Sequence, residues 1–240
     1  MLCGRSNYRI RNGQKSVLSS NDVEFIKRSV LFQGILPPER DRLIERCHAR
    51  KTVPDTPIFK ARQPVSRVYL VLDGVIELYR GSENGKHAIL GLREVGEIAG
   101  ASAALAGINH YTTAQSVGKC RLLEVPLEVF NELLQLDPNL VRRLTSRLAD
   151  NLQLISEHVE RLQLMQTTER LASYLLSLLP TNGISTEFLL PCDKGVIATY
   201  LGMERESFSR SLKKLRSLGV ISKGRHIQIS DPAALKSLCQ

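Results

Sequence analysis

A stretch near the C-terminus, residues 194–213, most constrains the fold because it predicts two short helices joined by a tight turn. Its sequence is KGVIATYLGMERESFSRSLK. Ala198 and Gly202 are four residues apart, a spacing of small residues that lets two helices pack closely, and glycine adopts the positive φ that such a turn needs. The stretch therefore predicts a helix-turn-helix.

The second helix of this stretch is amphipathic. Phe208, Leu212 and Leu215 recur at helical spacing and predict its buried face. The opposite face carries side chains that suit DNA bases, because arginine donates a fork to guanine, glutamate accepts from cytosine, and serine bonds to a base or a phosphate. These side chains are Arg205, Glu206, Ser209, Arg210 and Lys213. An ordinary surface helix with solvated charges is the alternative interpretation.

The residues that follow favour DNA binding over that alternative. Residues 219–230 contain two alternating runs around Lys223-Gly224-Arg225, which is typical of a β-hairpin wing with a basic tip. Residues 191–226 hold eight lysines or arginines and three acidic residues, and the whole chain has a net charge of +9. Such a patch neutralises phosphates, although it can also serve solubility alone. We predict phosphate contacts from Lys213 and Arg225.

A heptad seam of apolar residues predicts a long helix that pairs with a copy of itself. Steps of four and three residues continue without a break, and charged side chains keep the flanks solvated. The seam consists of Val141, Thr145, Leu148, Leu152, Ile155, Val159 and Leu162. A core helix packed inside one subunit is the alternative. We predict a homodimer.

The middle of the chain predicts a small β-sandwich or barrel. Short apolar runs at 58–59, 68–72, 75–79 and 88–92 are separated by turn residues, including those at 82–85. Before them, residues 22–47 predict short helices, one of which starts after Pro37-Pro38. The first twenty residues lack apolar periodicity and predict a flexible extension.

Several function classes are excluded by what the sequence lacks. The five cysteines are odd in number and widely separated, so we expect neither a disulfide framework nor an iron–sulfur cluster. There is no apolar signal region or membrane-length run, which predicts a cytoplasmic protein with no membrane partner. There is also no glycine-rich phosphate loop, G-x-S-x-G or H-E-x-x-H motif, so we expect no enzyme.

From about Leu31 to its end, the chain resembles the CRP/FNR superfamily of bacterial transcription regulators. The resemblance is carried by Ile58-Phe59, Gln63-Pro64, residues 69–74, Gly96-Glu97 and Thr113-Ala114, and by residues 205–210. It implies an α+β fold with an N-terminal cyclic-nucleotide-binding-like β-roll, a long dimerisation helix and a C-terminal winged helix-turn-helix. The domains expected are an extension 1–20, an effector-sensing β-roll 21–136, a dimerisation helix 137–165 and a winged helix 166–240.

The resemblance also implies a function and partners. It implies that this chain is an activator that binds double-stranded promoter DNA as a homodimer and acts on RNA polymerase. Glu206, Ser209 and Arg210 match an E-x-x-S-R pattern that reads a TTGA-type half-site, while Arg205 matches the cyclic-AMP receptor and leaves the outer bases open. Two alternatives stay open: a β-roll regulatory subunit or signalling enzyme, and an architectural DNA binder that senses no effector.

The effector is constrained by departures from the family pattern. Ala101 stands where the ribose-binding glutamate would fall, and Tyr111-Thr112 replaces the phosphate-binding Arg-Ser pair, so cyclic AMP is not expected. Residues 109–117, 206–210 and 224–231 resemble the nitric-oxide-responsive denitrification regulators of the Dnr/NnrR type, a branch thought to use haem. The candidate haem ligands are His48, His87, His110 and His158, and the candidate apolar effector contacts are Tyr111, Leu152 and Ile155.

Overall fold

The computed structural model describes residues 14–16, 18–81, 87–180 and 186–239. The described helices are α1 (Ser20–Arg28), α2 (Glu39–Glu45), α3 (Ala101–Ala106), α4 (Leu127–Leu136), α5 (Pro138–Leu164), α6 (Thr167–Ser177), α7 (Lys194–Tyr200), α8 (Arg205–Leu215) and α9 (Pro232–Leu238). The described strands are β1 (Gln14–Ser16), β2 (His48–Thr52), β3 (Pro57–Phe59), β4 (Arg67–Asp73), β5 (Ile76–Gly81), β6 (His87–Arg93), β7 (Ile98–Ala99), β8 (Thr113–Ser116), β9 (Cys120–Pro126), β10 (Glu187–Leu189), β11 (Val220–Lys223) and β12 (His226–Ile229).

The chain divides into two compact units. The first holds the described residues up to Ile76 together with Arg93–Val141, and the second holds Glu77–Leu92 and the described residues from Arg142 onward. In the described parts of the chain, no helix is both long and apolar enough to cross a bilayer.

The first unit is built on an antiparallel five-stranded sheet of order β1-β2-β9-β4-β7. Strand β4 buries a continuous apolar run of five residues, and its neighbour β9 buries apolar residues that are interrupted by half-buried Arg121 and Glu124; together they form the core of the unit. Among their fully buried residues are Val68, Leu70, Val71, Leu122, Leu123 and Val125. The four runs predicted as strands fall in β3, β4, β5 and β6. Together with α5 and the C-terminal helices, this β-rich unit confirms the predicted α+β fold.

Helix α5 contains the whole predicted heptad seam in one continuous run of 27 residues. Leu152 is 65% exposed, Ile155 49% and Val159 45%, while Leu140 and Leu144 near the start of the helix are buried. The seam is thus an apolar stripe that the described residues leave partly exposed, and we call it the uncovered stripe. The domain boundaries predicted at residues 20, 136 and 165 stay predictions.

A short strand lies within the segment predicted to be an extension, and the flexibility of that segment stays a prediction. Residues 14–16 form β1, which pairs with Ala49–Lys51 of β2. A three-residue strand at a sheet edge is held through its backbone groups, so it needs no alternating apolar pattern. Residues 1–13, with Cys3, lie outside the described residues, as does the turn predicted at 82–85.

Helix α1 is fixed at its start by a buried carboxylate. Asp22 accepts hydrogen bonds from the backbone and hydroxyl of Ser19, which caps the helix, and pairs with the guanidinium of Arg121 in β9. The Asp22 side chain is only 7% exposed. Burial favours its neutral form, but the hydrogen bonds from Ser19 and the charge of Arg121 outweigh burial and hold the pKa of Asp22 below its ordinary value.

The Asp22 cluster predicts an acid-dependent loss of stability. A lowered folded pKa stabilises the fold above the unfolded pKa of about 3.9, and this contribution is lost as pH falls through the folded pKa. We expect Asp22→Asn to lower the free energy of unfolding by about 2 kcal/mol near pH 7, and by progressively less below pH 4. Urea unfolding at a series of pH values measures this, with the exposed Glu39→Gln as control. A difference between wild type and Asp22→Asn that stays constant down to pH 3 would contradict the assignment.

Candidate nucleic-acid interface

The predicted helix-turn-helix is present as α7 and α8. Gly202 lies in the turn at φ +63°, the left-handed conformation that glycine adopts without strain. The backbone of Met203 donates to the carbonyl of Ala198 over 2.9 Å, and Gly202 donates to Thr199 over 3.1 Å, which closes the end of α7. Ala198 and Phe208 are both nearly fully buried. The small-residue spacing read from the sequence therefore forms this turn.

Helix α8 separates its buried and exposed faces largely as predicted. Phe208 and Leu215 are buried, and every predicted DNA-contacting residue of the helix is exposed: Arg205, Glu206, Ser209, Arg210 and Lys213. The structure also buries Ser211, while Leu212 is half-buried. The Ser211 hydroxyl lies 3.2 Å from that of Thr168 in α6, so a hydrogen bond between helices compensates its burial. Sequence periodicity gives no signal for such a pair.

The two arginines of this face are held differently. The guanidinium of Arg205 lies against Gly195 in α7, so close that a Cβ added at Gly195 would stand 3.0 Å from Nε of Arg205. Arg210 donates from Nη2 to the hydroxyl of Ser207 over 3.1 Å. A hydrogen bond therefore orients the Arg210 guanidinium, whereas the Arg205 guanidinium only lies in contact with α7.

Replacing Gly195 by alanine is expected to lower the affinity for DNA without lowering the stability of the protein. Gly195 lies inside α7, where alanine favours the helix by up to about 1 kcal/mol, while the new methyl group displaces the flexible Arg205 guanidinium. We expect an unchanged or higher melting temperature and a severalfold loss of affinity for a specific duplex. The control is the same change in an Arg205→Ala background, where no further loss should follow. Equal losses in both backgrounds would mean that Gly195 does not act through Arg205.

The predicted wing is present as the β11–β12 hairpin with Gly224 at its tip, at φ +59°. Its sheet has a third strand that the sequence did not predict, because β10 pairs with β12. Lys223 is exposed. The guanidinium of Arg225, predicted to contact a phosphate, donates to the backbone carbonyls of Leu190 and Pro191 over 2.9 Å and 2.8 Å.

Helix α5 and the helix-turn-helix meet within the second unit. The His158 ring stacks on Tyr200 with 4.4 Å between centroids, and a side-chain carbon of Leu162 lies 3.1 Å from the place a Cβ would occupy at Gly202. Burial lowers the pKa of His158, and the charges of Arg161 and Arg170 lower it further, against a backbone hydrogen bond to Tyr200. Both rings are half-buried at this junction. No local pattern predicts this contact, because its partners are 42 residues apart.

The other candidate haem ligands occupy varied settings. His110 is 5% exposed and stacks on Phe59 with 3.8 Å between centroids, and burial lowers its pKa. His48 is exposed on β2, while the His87 side chain lies outside the described residues. Within those residues, no three histidine, cysteine or acidic side chains gather to hold a metal ion. A metal binds an imidazole at its edge, so stacking on a ring face excludes neither His110 nor His158, and haem ligation stays a prediction.

The candidate effector contacts are exposed. Tyr111 is 68% exposed in the first unit, and Leu152 and Ile155 belong to the uncovered stripe of α5 in the second. Ala101 is buried as the first residue of α3. Its methyl group cannot accept a hydrogen bond from a ribose, and Tyr111-Thr112 carries no cation for a phosphate. That cyclic AMP is not the effector stays a prediction.

The comparisons with known proteins agree with this architecture. The Crp-like helix-turn-helix domain matches residues 169–238, and the cyclic nucleotide-binding domain matches residues 49–137. The anaerobic regulatory protein of Pasteurella multocida is 29% identical over 204 residues, which cover 82% of this chain and 73% of that protein. The fumarate and nitrate reduction regulatory protein of Escherichia coli K12 is 28% identical over 186 residues, covering 75% of this chain and 74% of that protein.

Solved structures show the same fold. FixK2 from Bradyrhizobium japonicum superposes with a TM-score of 0.72 at 23% identity, over 81% of this chain and 98% of that one. A β-rich domain of the cyclic nucleotide-binding type, a long helix and a DNA-binding helix-turn-helix together define a transcription regulator, not an enzyme. The chain belongs to the CRP/FNR family. The likeness to the nitric-oxide-responsive branch stays a prediction.

Proposed function

We propose that this chain acts as a homodimer that binds an inverted repeat of TTGA-like half-sites in promoter DNA, under the control of a small effector bound in the β-roll. The observation that carries the proposal is helix α8. It packs into its unit through Phe208 and Leu215 and presents five DNA-compatible polar side chains to solvent. Such a face reads base edges in the major groove.

The proposed dimer interface is the uncovered stripe on α5. Six apolar side chains of one helix face are 37–65% exposed, namely Val141, Leu148, Leu152, Ile155, Val159 and Leu162. Apolar residues in a heptad pattern over this length are stabilised by pairing with a second helix. Two paired α5 helices would hold two copies of α8 at the spacing of successive major grooves, which an inverted repeat matches.

The proposed control is a population shift between arrangements of the paired helices. An effector that binds one arrangement more tightly would favour it, and the contact of His158 and Leu162 with the helix-turn-helix offers a route to α8. The effector we propose is a hydrophobic ligand, with haem as the candidate and not cyclic AMP. Calorimetry with cyclic AMP tests the exclusion of that nucleotide. A haem titration followed by absorption tests the binding of haem. A promoter-bound regulator of this kind would act on RNA polymerase.

A binding experiment tests the DNA proposal. Three duplexes of equal length carry the inverted repeat, one half-site or a scrambled sequence, and fluorescence anisotropy gives the affinity for each at the same salt concentration. We expect the repeat to bind at least a thousandfold tighter than the scrambled duplex, with protection of both half-sites in a footprint. Equal affinity for the repeat and the scrambled duplex would reject the proposal and favour an architectural DNA binder.

A further inference from the structure

We infer that two basic residues of the DNA-binding unit, Arg225 and Lys194, position the wing against the start of α7 instead of contacting phosphates. We call this set the wing clasp: Arg225 with the carbonyls of Leu190 and Pro191, and Lys194 with the hydroxyl of Ser222. The inference rests on the proposed DNA-binding function, since the wing matters only if DNA lies against it.

Arg225 is connected to the preceding segment from both its backbone and its side chain. Its carbonyl accepts from the backbone N–H of Leu190 over 2.9 Å, which extends the pairing of β10 with β12 by one step. Its Nε donates to the carbonyl of Leu190 over 2.9 Å, and its Nη2 donates to that of Pro191 over 2.8 Å. The planar fork of a guanidinium reaches two adjacent carbonyls together, which a lysine ammonium on a flexible stem does not reproduce.

The segment that Arg225 holds leads directly into the helix-turn-helix. Leu190 is fully buried, Cys192 is 3% exposed, and Asp193 is the N-cap of α7. The carbonyls that Arg225 engages therefore belong to a firmly packed part of the unit. A wing residue bound to them is fixed relative to α7, and the tip at Lys223 and Gly224 is oriented with it.

Lys194 makes the second connection from the other side. As the first residue of α7, it donates from Nζ to the hydroxyl of Ser222 in β11 over 2.7 Å. This hydrogen bond engages the Lys194 ammonium within the protein, and burial together with the nearby charge of Arg216 lowers its pKa. The start of α7 is thus bonded to β11 by Lys194, and the segment before it is bonded by Arg225 to the hairpin turn that precedes β12.

The wing clasp determines which basic residues we expect to contribute to the salt dependence of DNA binding. Each phosphate neutralised releases counterions and steepens the fall of affinity with salt, whereas a hydrogen bond inside the protein does not. Lys223 at the tip and Lys213 on α8 are exposed, and the structure shows no internal partner for either among the residues it describes. We assign the phosphate contacts of this surface to them.

The test compares Arg225→Ala with Arg225→Lys, using Lys223→Ala as the matched control in the same hairpin. Affinity for the inverted repeat is measured over a series of salt concentrations. The clasp predicts that both Arg225 variants lose about tenfold in affinity to the same extent, with the salt slope of wild type, because lysine keeps the charge but not the fork. Lys223→Ala should instead flatten the slope by about one phosphate contact per protomer.

The opposite pattern would overturn the inference. If Arg225→Lys binds like wild type while Arg225→Ala flattens the slope, Arg225 contacts a phosphate. Ser222→Ala should reproduce the loss seen for Lys194→Ala, since it removes the acceptor and no charge. If Lys194→Ala had a flatter salt slope and Ser222→Ala bound DNA like wild type, the positioning role of the Lys194–Ser222 hydrogen bond would be rejected.

A measurement without DNA separates this inference from the proposed function. The Leu190 amide donates to the carbonyl of Arg225, so loss of the clasp should speed its hydrogen exchange in Arg225→Lys. An exchange rate equal to that of wild type would reject the clasp whether or not the protein binds DNA. If wild type fails to distinguish the repeat from a scrambled duplex, the proposed function fails instead. Should Arg225→Ala not fold, Arg225→Lys and Ser222→Ala still decide the matter.

Discussion

Replacing Leu152 and Ile155 together by glutamate is expected to give a folded monomer that no longer protects an inverted repeat. Both side chains are about half exposed or more in the single chain, so the glutamates meet solvent and the fold of the protomer is unaffected. In a symmetric pair, each helix contributes both residues, and four large apolar side chains lose their contacts at once.

The size of the effect follows from the area that the pair would bury. A large apolar side chain contributes about 1.5–3 kcal/mol when it is fully buried, but Leu152 and Ile155 are 65% and 49% exposed in the single chain, so pairing adds only the remaining part, about 3–7 kcal/mol for the four side chains. Each 1.4 kcal/mol corresponds to about a tenfold change in the dissociation constant. Four carboxylates facing one another would weaken association further. The double variant should therefore be monomeric at any practical concentration and bind a repeat no better than a half-site.

The matched control places the same charges on the opposite side of α5. Ser146 and Gln153 are exposed and lie away from the seam, so the double change to glutamate adds equal charge without touching the stripe. Light scattering should report a dimer for wild type and for this control, and a monomer for the seam variant. Wild type that is monomeric at micromolar concentration with an intact footprint would refute the dimer.

The features predicted correctly from the sequence are those with local signals. The heptad spacing of the seam places its residues on one helix, and α5 contains all of them in one run. Gly202 and the apolar spacing of Phe208 and Leu215 specify the turn and the buried face of α8 without knowledge of the rest of the fold. The exposure of the residues predicted to contact DNA then follows, because the period of a helix fixes the opposite face.

The features that the sequence did not predict depend on contacts between distant residues. Strands β1 and β10 have three residues each and are held by backbone pairing, which leaves no side-chain pattern. The sequence predicts that Arg225 lies at the basic tip of the wing. Its guanidinium donates to the carbonyls of Pro191 and Leu190, which lie 34 and 35 residues earlier in the chain. The partner of an exposed charged residue cannot be read from composition, because a phosphate and a backbone carbonyl both accept from arginine.

Replacing Arg210 by alanine is expected to cost specific binding much more than binding to random DNA. Arg210 is exposed on α8 and oriented by Ser207, and a bidentate contact between arginine and guanine is worth about 1–3 kcal/mol of discrimination. Each half-site of a dimer loses one such contact. We expect a loss of affinity for the repeat of about fivefold to 150-fold per half-site, with discrimination relaxed at the base pair that Arg210 reads. Glu206 should read the neighbouring inner base pair, and Ser209 an adjacent one.

Two variants separate base reading by Arg210 from simple attraction of phosphates. Arg210→Lys keeps the charge and loses the planar fork, so it should lose specificity almost as fully as Arg210→Ala. Lys213→Ala, on the same exposed face, should weaken the repeat and a random duplex alike and flatten the salt slope, as a phosphate contact does. Anisotropy titrations with both duplexes over a salt series give all of these quantities. If Arg210→Ala weakened the two duplexes equally, Arg210 would be a phosphate contact, and the specificity of α8 would rest on its remaining exposed side chains.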